Sequence, residues 1–339
     1  MKKIPRYLTD KNYRLLVNAG RGKYDKLPDK GYLEKIFKAS MGYSLSLENP
    51  QTFNEKLQWL KLYDRKPEYT MMVDKYKVRE YIKEKLGEEY LIPLLGVWDK
   101  AEDIDFDKLP NQFVLKCNHN SGLGMYICKD KSKLTQKEIK VIQKNLTKGL
   151  QQDYYLTGRE WPYKNVPRKI IAEKYMEDKE TGELMDYKFM CFNGKVNCCF
   201  VCNNRFSVSG LNVTFYDTDW KVMPFERHYR RSNKPIDSDR EIGKTKADYF
   251  DMDFNWLDLK WGYEHADVKP LKPINFEKMK ELAVVLSKNI PELRVDFYEV
   301  NNKIYFGELT FFDGSGFDKI EPKEWDKKIG DWIKLPQKS

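Results

Sequence analysis

The segment Arg294–Phe312, RVDFYEVNNKIYFGELTFF, sets two apolar-rich runs on either side of Asn301-Asn302-Lys303 and so predicts a β-hairpin. Its register decides where the charges go. With a two-residue Asn301-Asn302 loop, Val300 pairs with Lys303, Asp296 lies opposite Gly307, and Glu308 projects from the other face. With a three-residue loop, Val300 pairs with Ile304, Asp296 stands opposite Glu308, and Arg294 opposite Thr310. Opposed residues hold their Cβ atoms about 4.5–5.5 Å apart. Two carboxylates at that range repel unless a cation or a proton lies between them. The three-residue loop is therefore expected, with Asp296 and Glu308 facing the same cleft as Lys116 and Lys188. Arg294 can form an ion pair with either carboxylate, and the acidic oxygens also suit a hard cation such as Mg²⁺ bound to phosphates. The two readings are compatible.

Outward from this hairpin, FEKMKELAVVLSKNI (Phe276–Ile290) has the period of an amphipathic helix, and a polar stretch, Arg230–Lys246, precedes it. DYKFMCFNGKVNCCFVC (Asp186–Cys202) contains Asn-Gly, the strongest short-range hairpin signal. RKIIAEKYM (Arg168–Met176) reads as a strand. QFVLKCN (Gln112–Asn118), HNSGLG (His119–Gly124) and MYIC (Met125–Cys128) form a strand, a glycine-bearing loop and a strand, a hairpin with a mobile tip that orders over ligand. Thr135 with Glu138 opens a helix running to about Leu150. The first hundred residues read as mostly helical, with helices over Asn54–Asp64 and Met72–Leu86. Strands and helices do not alternate regularly, and no internal repeat is present. The expectation is an α+β protein with antiparallel sheets: a helical region over 1–105, a small α+β lid over 106–172 and a C-terminal α+β catalytic unit over 173–339.

Composition agrees with a folded protein of two or three units. The 339 residues include 22 Tyr, 18 Phe and 8 Trp, far more apolar area than a disordered chain carries despite a charged fraction of 33%. No run approaches the roughly 18 apolar residues of a membrane span, and MKKIPRYLTDKNYRLL lacks the apolar stretch of a signal peptide, so the cytoplasm is expected. Six cysteines are too sparse for a disulfide scaffold. The formal charge of +9 attracts anions. Lys and Glu are interspersed without an arginine-rich arm, which favours small anionic ligands over nucleic acid. The basic first thirty residues (Lys2, Lys3, Arg6, Lys11, Arg14, Arg21, Lys23) are either a solvated face or a peripheral membrane contact.

Several motifs carry no chemistry. Cys199 and Cys202 form a CxxC, but residues three apart in a strand point to opposite faces. His119, His228 and His265 are scattered, and there is no Walker A loop and no GxGxxG after a strand. What remains is charge inside apolar strands, where an unpaired charge is expensive to bury. Lys116 lies in FVLKCN, just before a loop whose Ser121, Gly122 and Gly124 let backbone N–H groups approach a phosphate. Lys188 lies in DYKFMCF. An edge-strand lysine reaching solvent explains either one alone; two lysines together with a glycine loop favour an anion site.

The set NEKLQWLKLYD, VDKYKVREYI (Val73–Ile82), FVLKCNHNSG, KIIAEKYM, DYKFMCFNGK, RVDFYEVNNKIYFGELTFFDGSGF and KKIGDWIKLP (Lys327–Pro336) resembles the ATP-grasp superfamily, and in particular the TupA-like proteins of teichuronopeptide biosynthesis. That resemblance implies ATP held between two antiparallel α+β units. It implies that Lys75, Lys116 and Lys188 contact phosphates, and that Glu173 with the hinge strand Lys174, Tyr175 and Met176 reads adenine and ribose. Arg294 would stabilise the transferring phosphoryl group, while Asp296 and Glu308 hold Mg²⁺. Where many ATP-grasp enzymes place an asparagine two residues after the metal glutamate, this chain has Thr310, a poorer Mg²⁺ ligand, which favours one metal over two.

The activity implied is an ATP- and Mg²⁺-dependent carboxylate–amine ligase of bacterial surface-polysaccharide biosynthesis, activating a carboxylate, such as that of a uronic acid, as an acyl phosphate. The competing class is a glycosyltransferase using a nucleotide sugar, for which Asp217-Thr218-Asp219 and Asp251-Met252-Asp253 match the D-x-D metal pattern. A noncatalytic carbohydrate- or membrane-binding module would bind no nucleotide.

Overall fold

The computed structural model describes residues 6–179, 182, 184–203, 212–228 and 270–338. Its strands are β1 (Leu94–Trp98), β2 (Phe113–Cys117), β3 (Met125–Cys128), β4 (Ile170–Lys174), β5 (Met185–Phe192), β6 (Lys195–Asn203), β7 (Asn212–Asp217), β8 (Glu226–His228), β9 (Glu292–Val300), β10 (Lys303–Thr310) and β11 (Lys319–Glu321). They form an antiparallel four-stranded sheet in the order β1-β4-β2-β3, a five-stranded one in the order β10-β9-β5-β6-β7, and the pair β8–β11. The four-stranded sheet joins Leu94–Trp98 to β2, β3 and β4, so the boundary expected at 105/106 separates two of its strands and that at 172/173 falls inside β4. Leu94–Trp98 has little strand signal of its own; its pairing partner lies more than 70 residues along the chain.

Helices arise where local chemistry permits. Thr52 accepts the Glu55 N–H through its side chain while the Glu55 carboxylate accepts the Thr52 N–H, and this capping box starts the helix Phe53–Tyr63. Thr135 and Glu138 repeat the device at Gln136–Gln151, whose Ile142 and Leu146 pack with Phe113 and Leu115 of β2. The single helix expected over Met72–Leu86 is instead two, Glu68–Val73 and Val78–Lys85. Asp74 breaks it, because its Oδ1 accepts the N–H groups of Tyr76 at 2.8 Å and Lys77 at 3.2 Å, an alternative to helical bonding.

The five-stranded sheet has one apolar and one charged face. Phe189, Val295 and Phe297 pack toward the helix Phe276–Leu286, with the Phe189 and Phe276 rings 5.6 Å apart. On the opposite face, residues two apart along each strand bring Asp186, Lys188, Arg294 and Asp296 together. The helical region is locked onto this unit. Asn54 Nδ2 donates to Asp326 Oδ1 at 3.0 Å, and Lys56 Nζ donates to the Gly330 and Ile333 carbonyls. Among the described residues no helix is long and apolar enough to cross a membrane.

The β9–β10 turn corrects the three-residue loop expected from sequence. Val300 pairs with Lys303 around a two-residue Asn301-Asn302 turn whose residues have φ of 49° and 62°. That register would send Glu308 to the wrong face, but a bulge after Phe306 leaves Gly307 unpaired and shifts the ladder by one. Asp296 therefore stands opposite Glu308 and Arg294 opposite Thr310, reached by a different route. Gly307 is required: a Cβ there would lie 3.0 Å from the Asp296 carbonyl oxygen and 3.1 Å from Tyr298. Gly307→Val should cost about 1–3 kcal/mol, measurable by chemical denaturation, because overpacking here must displace backbone. An unchanged midpoint would contradict the bulge.

Candidate active site

Asp296, 1% exposed, is the hub of the charged face. It accepts from Arg294 Nε at 2.7 Å and Arg294 Nη2 at 2.8 Å, and from Lys188 Nζ on the neighbouring strand. Arg294 Nη2 also donates to Glu308 Oε1 at 2.7 Å, and its Nη1 donates to Asp313 in the loop after β10. Lys188 Nζ lies 2.7 Å from Asp186 as well. Thr310 Oγ1 donates to Glu308 Oε1 at 3.4 Å. The Glu308 side chain keeps 34% exposure, so the cluster opens to the cleft through this residue.

Facing it are Lys75, in the turn between the helices Glu68–Val73 and Val78–Lys85, and Lys116 on β2 of the four-stranded sheet. Lys75 Nζ lies 3.9 Å from Glu308 and donates to the Asn120 carbonyl at 2.8 Å. Its backbone N–H donates to the Asn118 carbonyl, and Asn118 Nδ2 donates to Asp74 Oδ1 at 2.7 Å, tying the Asp74 break to the end of β2. Lys116 pairs with Glu173 at 2.6 Å, and Arg79 lies 3.4 Å from that same carboxylate. Burial alone would raise the Glu308 carboxyl, but Lys75, Arg294, Lys188 and Lys116 together hold it below the usual carboxylate range. Cations from both sheets thus act on one carboxylate. Burial pushes Asp296 up to about 6 against the pull of Arg294 and Lys188. Lys188, which burial would lower, is raised by Asp186 and Asp296.

The remaining residues singled out from the sequence fall around this cluster. Lys174 ends β4, exposed, with its N–H on the Pro93 carbonyl; Tyr175 and Met176 lie beyond the strand, half-buried, so the strand stops short of Met176. The His119–Gly124 loop, expected to carry a mobile tip, is anchored at both ends. His119 and Asn120 are buried, His119 Nε2 bonds the Gln152 carbonyl, and Asn120 Nδ2 donates to Gly149 O at 3.2 Å and Gln152 Oε1 at 3.0 Å. Gly124 is fixed by packing, since a Cβ would meet Cys117 Sγ at 2.8 Å and Gly149 Cα at 3.0 Å. Only the tip, Ser121 and Gly122, is exposed. The polar segment of the loop finds partners on a helix that sequence reading does not place beside it.

Cys199 and Cys202 lie on β6, paired in the ladder with Phe189 and Asp186 respectively. Asp217 Oδ1 accepts the N–H groups of Asp219 and Lys221, closing the turn after β7. His265, Arg230–Lys246 and Asp251–Asp253 lie outside the described residues.

Sequence reading missed Asp313, Arg227, Glu160, Lys61 and Glu292. Only Asp313 carries a signal, an Asp-Gly turn pair in FFDGSGF. Asp313 accepts from Arg294 through Oδ1 and from Arg227 through Oδ2. Burial would raise its carboxyl, and the two arginines hold it low. The loop around it is left-handed at Phe312, Gly314, Ser315 and Gly316. Buried partners hold it in place. Lys61 Nζ, wholly buried and pushed by burial to about 7, donates to Gln58 Oε1, Gly158 O and Ser315 O, and Ser315 Oγ donates to Glu160. Glu292 accepts the Phe312 N–H at 2.9 Å.

Two antiparallel sheet units whose cations and carboxylates converge on one cleft are the architecture of an ATP-grasp protein. The chain belongs to the TupA-like ATP-grasp family, whose model matches residues 55–245 and 236–334. Among solved structures it is similar to D-alanine–D-alanine ligase from Helicobacter pylori, with 13% identity over 85% of this chain and 70% of that one and a TM-score of 0.43. It is also similar to D-alanine–D-alanine ligase from Bacillus anthracis (15%; 71% and 57%; 0.36) and biotin carboxylase from Campylobacter jejuni (14%; 79% and 48%; 0.37). It thus spans little more than half of the B. anthracis chain and about half of the C. jejuni chain. No curated protein sequence matches it.

Burial, followed by the charge of Asp313, pushes the Glu292 carboxyl up to about 8 from its ordinary 4.5. A raised carboxyl favours the protonated folded state. Its stabilising contribution is full below pH 4.5 and is lost as pH rises through 8, at about 1.4 kcal/mol per pH unit. Glu292→Gln cannot ionise, so wild type should lose stability relative to this variant between pH 5 and 8 in denaturation series, as an order-of-magnitude window. Parallel curves would contradict the assignment.

Proposed function

We propose that the protein is an ATP- and Mg²⁺-dependent ligase of bacterial surface-polysaccharide biosynthesis that joins an amine to a small-molecule or glycan carboxylate. The observation that carries this reading is the charge arrangement at Glu308, flanked by Arg294 and Lys188 on one side and Lys75 and Lys116 on the other. Such a cleft neutralises a polyphosphate, and the unit 94–174 is proposed to clasp it against the five-stranded sheet.

The residues fit Mg²⁺. Asp296 and Glu308 present oxygen donors from directly paired positions, and Mg²⁺ bound to phosphates keeps several waters and takes only one or two protein carboxylates. Among the described residues no group of three or more His, Cys, Asp or Glu side chains is placed to hold a metal. Thr310, already bonded to Glu308, favours a single ion. The metal would supply charge neutralisation at the phosphates.

The residues themselves position and stabilise. Lys75, Lys116 and Lys188 would hold phosphate oxygens, with the exposed Ser121 and Gly122 at the mouth and buried Gly124 setting the loop behind them. Glu173 with Lys174, Tyr175 and Met176 would take the nucleoside. Arg294 would stabilise charge on the phosphoryl group as it passes to the carboxylate, giving an acyl phosphate that the amine displaces with release of phosphate.

Isothermal titration should show Mg·ATP binding and no tight binding of UDP with Mn²⁺; UDP binding alone would support a glycosyltransferase instead. Lys116→Ala should weaken Mg·ATP binding about tenfold or more while the protein stays folded, and Lys188→Ala should weaken it likewise at a cost in stability, since it also strips a donor from the buried Asp186 and Asp296 carboxylates. Unaltered titrations in both variants would return these lysines to a purely structural role. ADP release across a panel of uronic acids and amines, with mass spectrometry of products, would then identify the substrates.

A further inference from the structure

Arg294 makes four hydrogen bonds to carboxylates, and three of them go to Asp296 and Glu308. Those are the two side chains that, on the reading above, also serve the metal. Once they turn to it, the remaining bond, from Nη1 to Asp313, is what keeps the guanidinium aimed.

We propose that Asp313, backed by Arg227, is the positioning residue that fixes Arg294 for phosphoryl transfer; the inference rests on the ATP-dependent reading. Three features make Asp313 suited to this. Its two oxygens are divided between the two arginines, Oδ1 accepting from Arg294 and Oδ2 from Arg227. Its loop is pinned independently of the cleft, by Glu292 at the Phe312 N–H and by Lys61 and Gln58 at the Ser315 and Gly316 carbonyls. Finally, Arg227 is itself held, with its guanidinium 4.8 Å from the centre of the Phe200 ring and its Nε 3.4 Å from Asp318. The Arg294 guanidinium lies 5.9 Å from that same ring, so both arginines rest on one rigid surface and share one carboxylate between them. A planar fork gripped at one edge by a fixed carboxylate keeps its orientation when the bonds at its other edge are exchanged.

The test uses the full-length protein and three probes in isothermal titration: Mg·ATP, Mg·ADP, and Mg·ADP with aluminium fluoride as a mimic of the transferring phosphoryl group. Wild type should bind the aluminium fluoride complex more tightly than Mg·ADP. In Asp313→Asn, Mg·ADP affinity should stay within about threefold of wild type while affinity for the aluminium fluoride complex falls about 100-fold, the scale expected when a reacting group is misplaced by an ångström. Asp313→Glu, which retains the charge, should recover part of that loss. Arg227→Lys keeps both Asp313 and the positive charge but loses the fork; it should lose about tenfold on the fluoride complex alone. Equal weakening of both complexes, no weakening of either, or a wild type indifferent to aluminium fluoride would overturn the proposal. If wild type bound neither ATP nor ADP, the ATP-dependent reading itself would fall, a result distinguishable from failure of the Asp313 role.

Discussion

The buried pairing of Asp296 with Arg294 and Lys188 is the constraint around which the rest of the structure is arranged. A carboxylate at 1% exposure is costly to keep charged unless several donors reach it, and here two strands supply them. Each partner then requires its own neutralisation. Lys188 takes Asp186, Arg294 takes Glu308 and Asp313, and Asp313 takes Arg227. The chain of pairs leaves Glu308 as the partly open end, facing Lys75 of the helical region. On the proposed reading, a cleft lined this way would be pre-set for a polyphosphate, because the cations are already in place and need only exchange partners.

The helical region acts as a brace rather than as an appended domain. The helix Phe53–Tyr63 contributes Asn54 to the C-terminal helix Glu324–Trp332, and Gln58 and Lys61 to the carbonyls of the loop carrying Asp313. Three side chains along one helix face, at i, i+4 and i+7, thus hold groups distant in the chain. The left-handed conformation of Phe312 and Ser315 is uncommon for residues with a Cβ and persists only where surroundings over-determine it. The Asp74 break likewise does two jobs, ending one helix and receiving Asn118 from the end of β2, which brings Lys75 to the cleft.

The amino-acid sequence by itself determined the elements whose cause is local. The Asn-Gly turn, the Thr135/Glu138 capping box and the alternation of β5 and β9 are short-range chemistry, and each formed close to where the pattern placed it. The charges stranded in apolar runs, Lys116, Lys188, Arg294, Asp296 and Glu308, were legible for the same reason: burial of an unpaired charge is unfavourable anywhere, so such residues declare a shared site.

Tertiary structure alone decided what depends on neighbours distant in the chain. The bulge at Gly307, and not the length of the turn, brings Glu308 onto the face of Asp296, since a bulge is settled by how closely the Asp296 carbonyl and Tyr298 approach. The anchored His119–Asn120 segment depends on carbonyls of a helix that follows it, and β1 depends on a partner more than 70 residues away. Arg227, Lys61 and Glu292 have no pattern of their own; they matter because folding sets each against the loop at Asp313. A long-range ion pair leaves no trace in sequence spacing, whereas the cost of the charge it neutralises does.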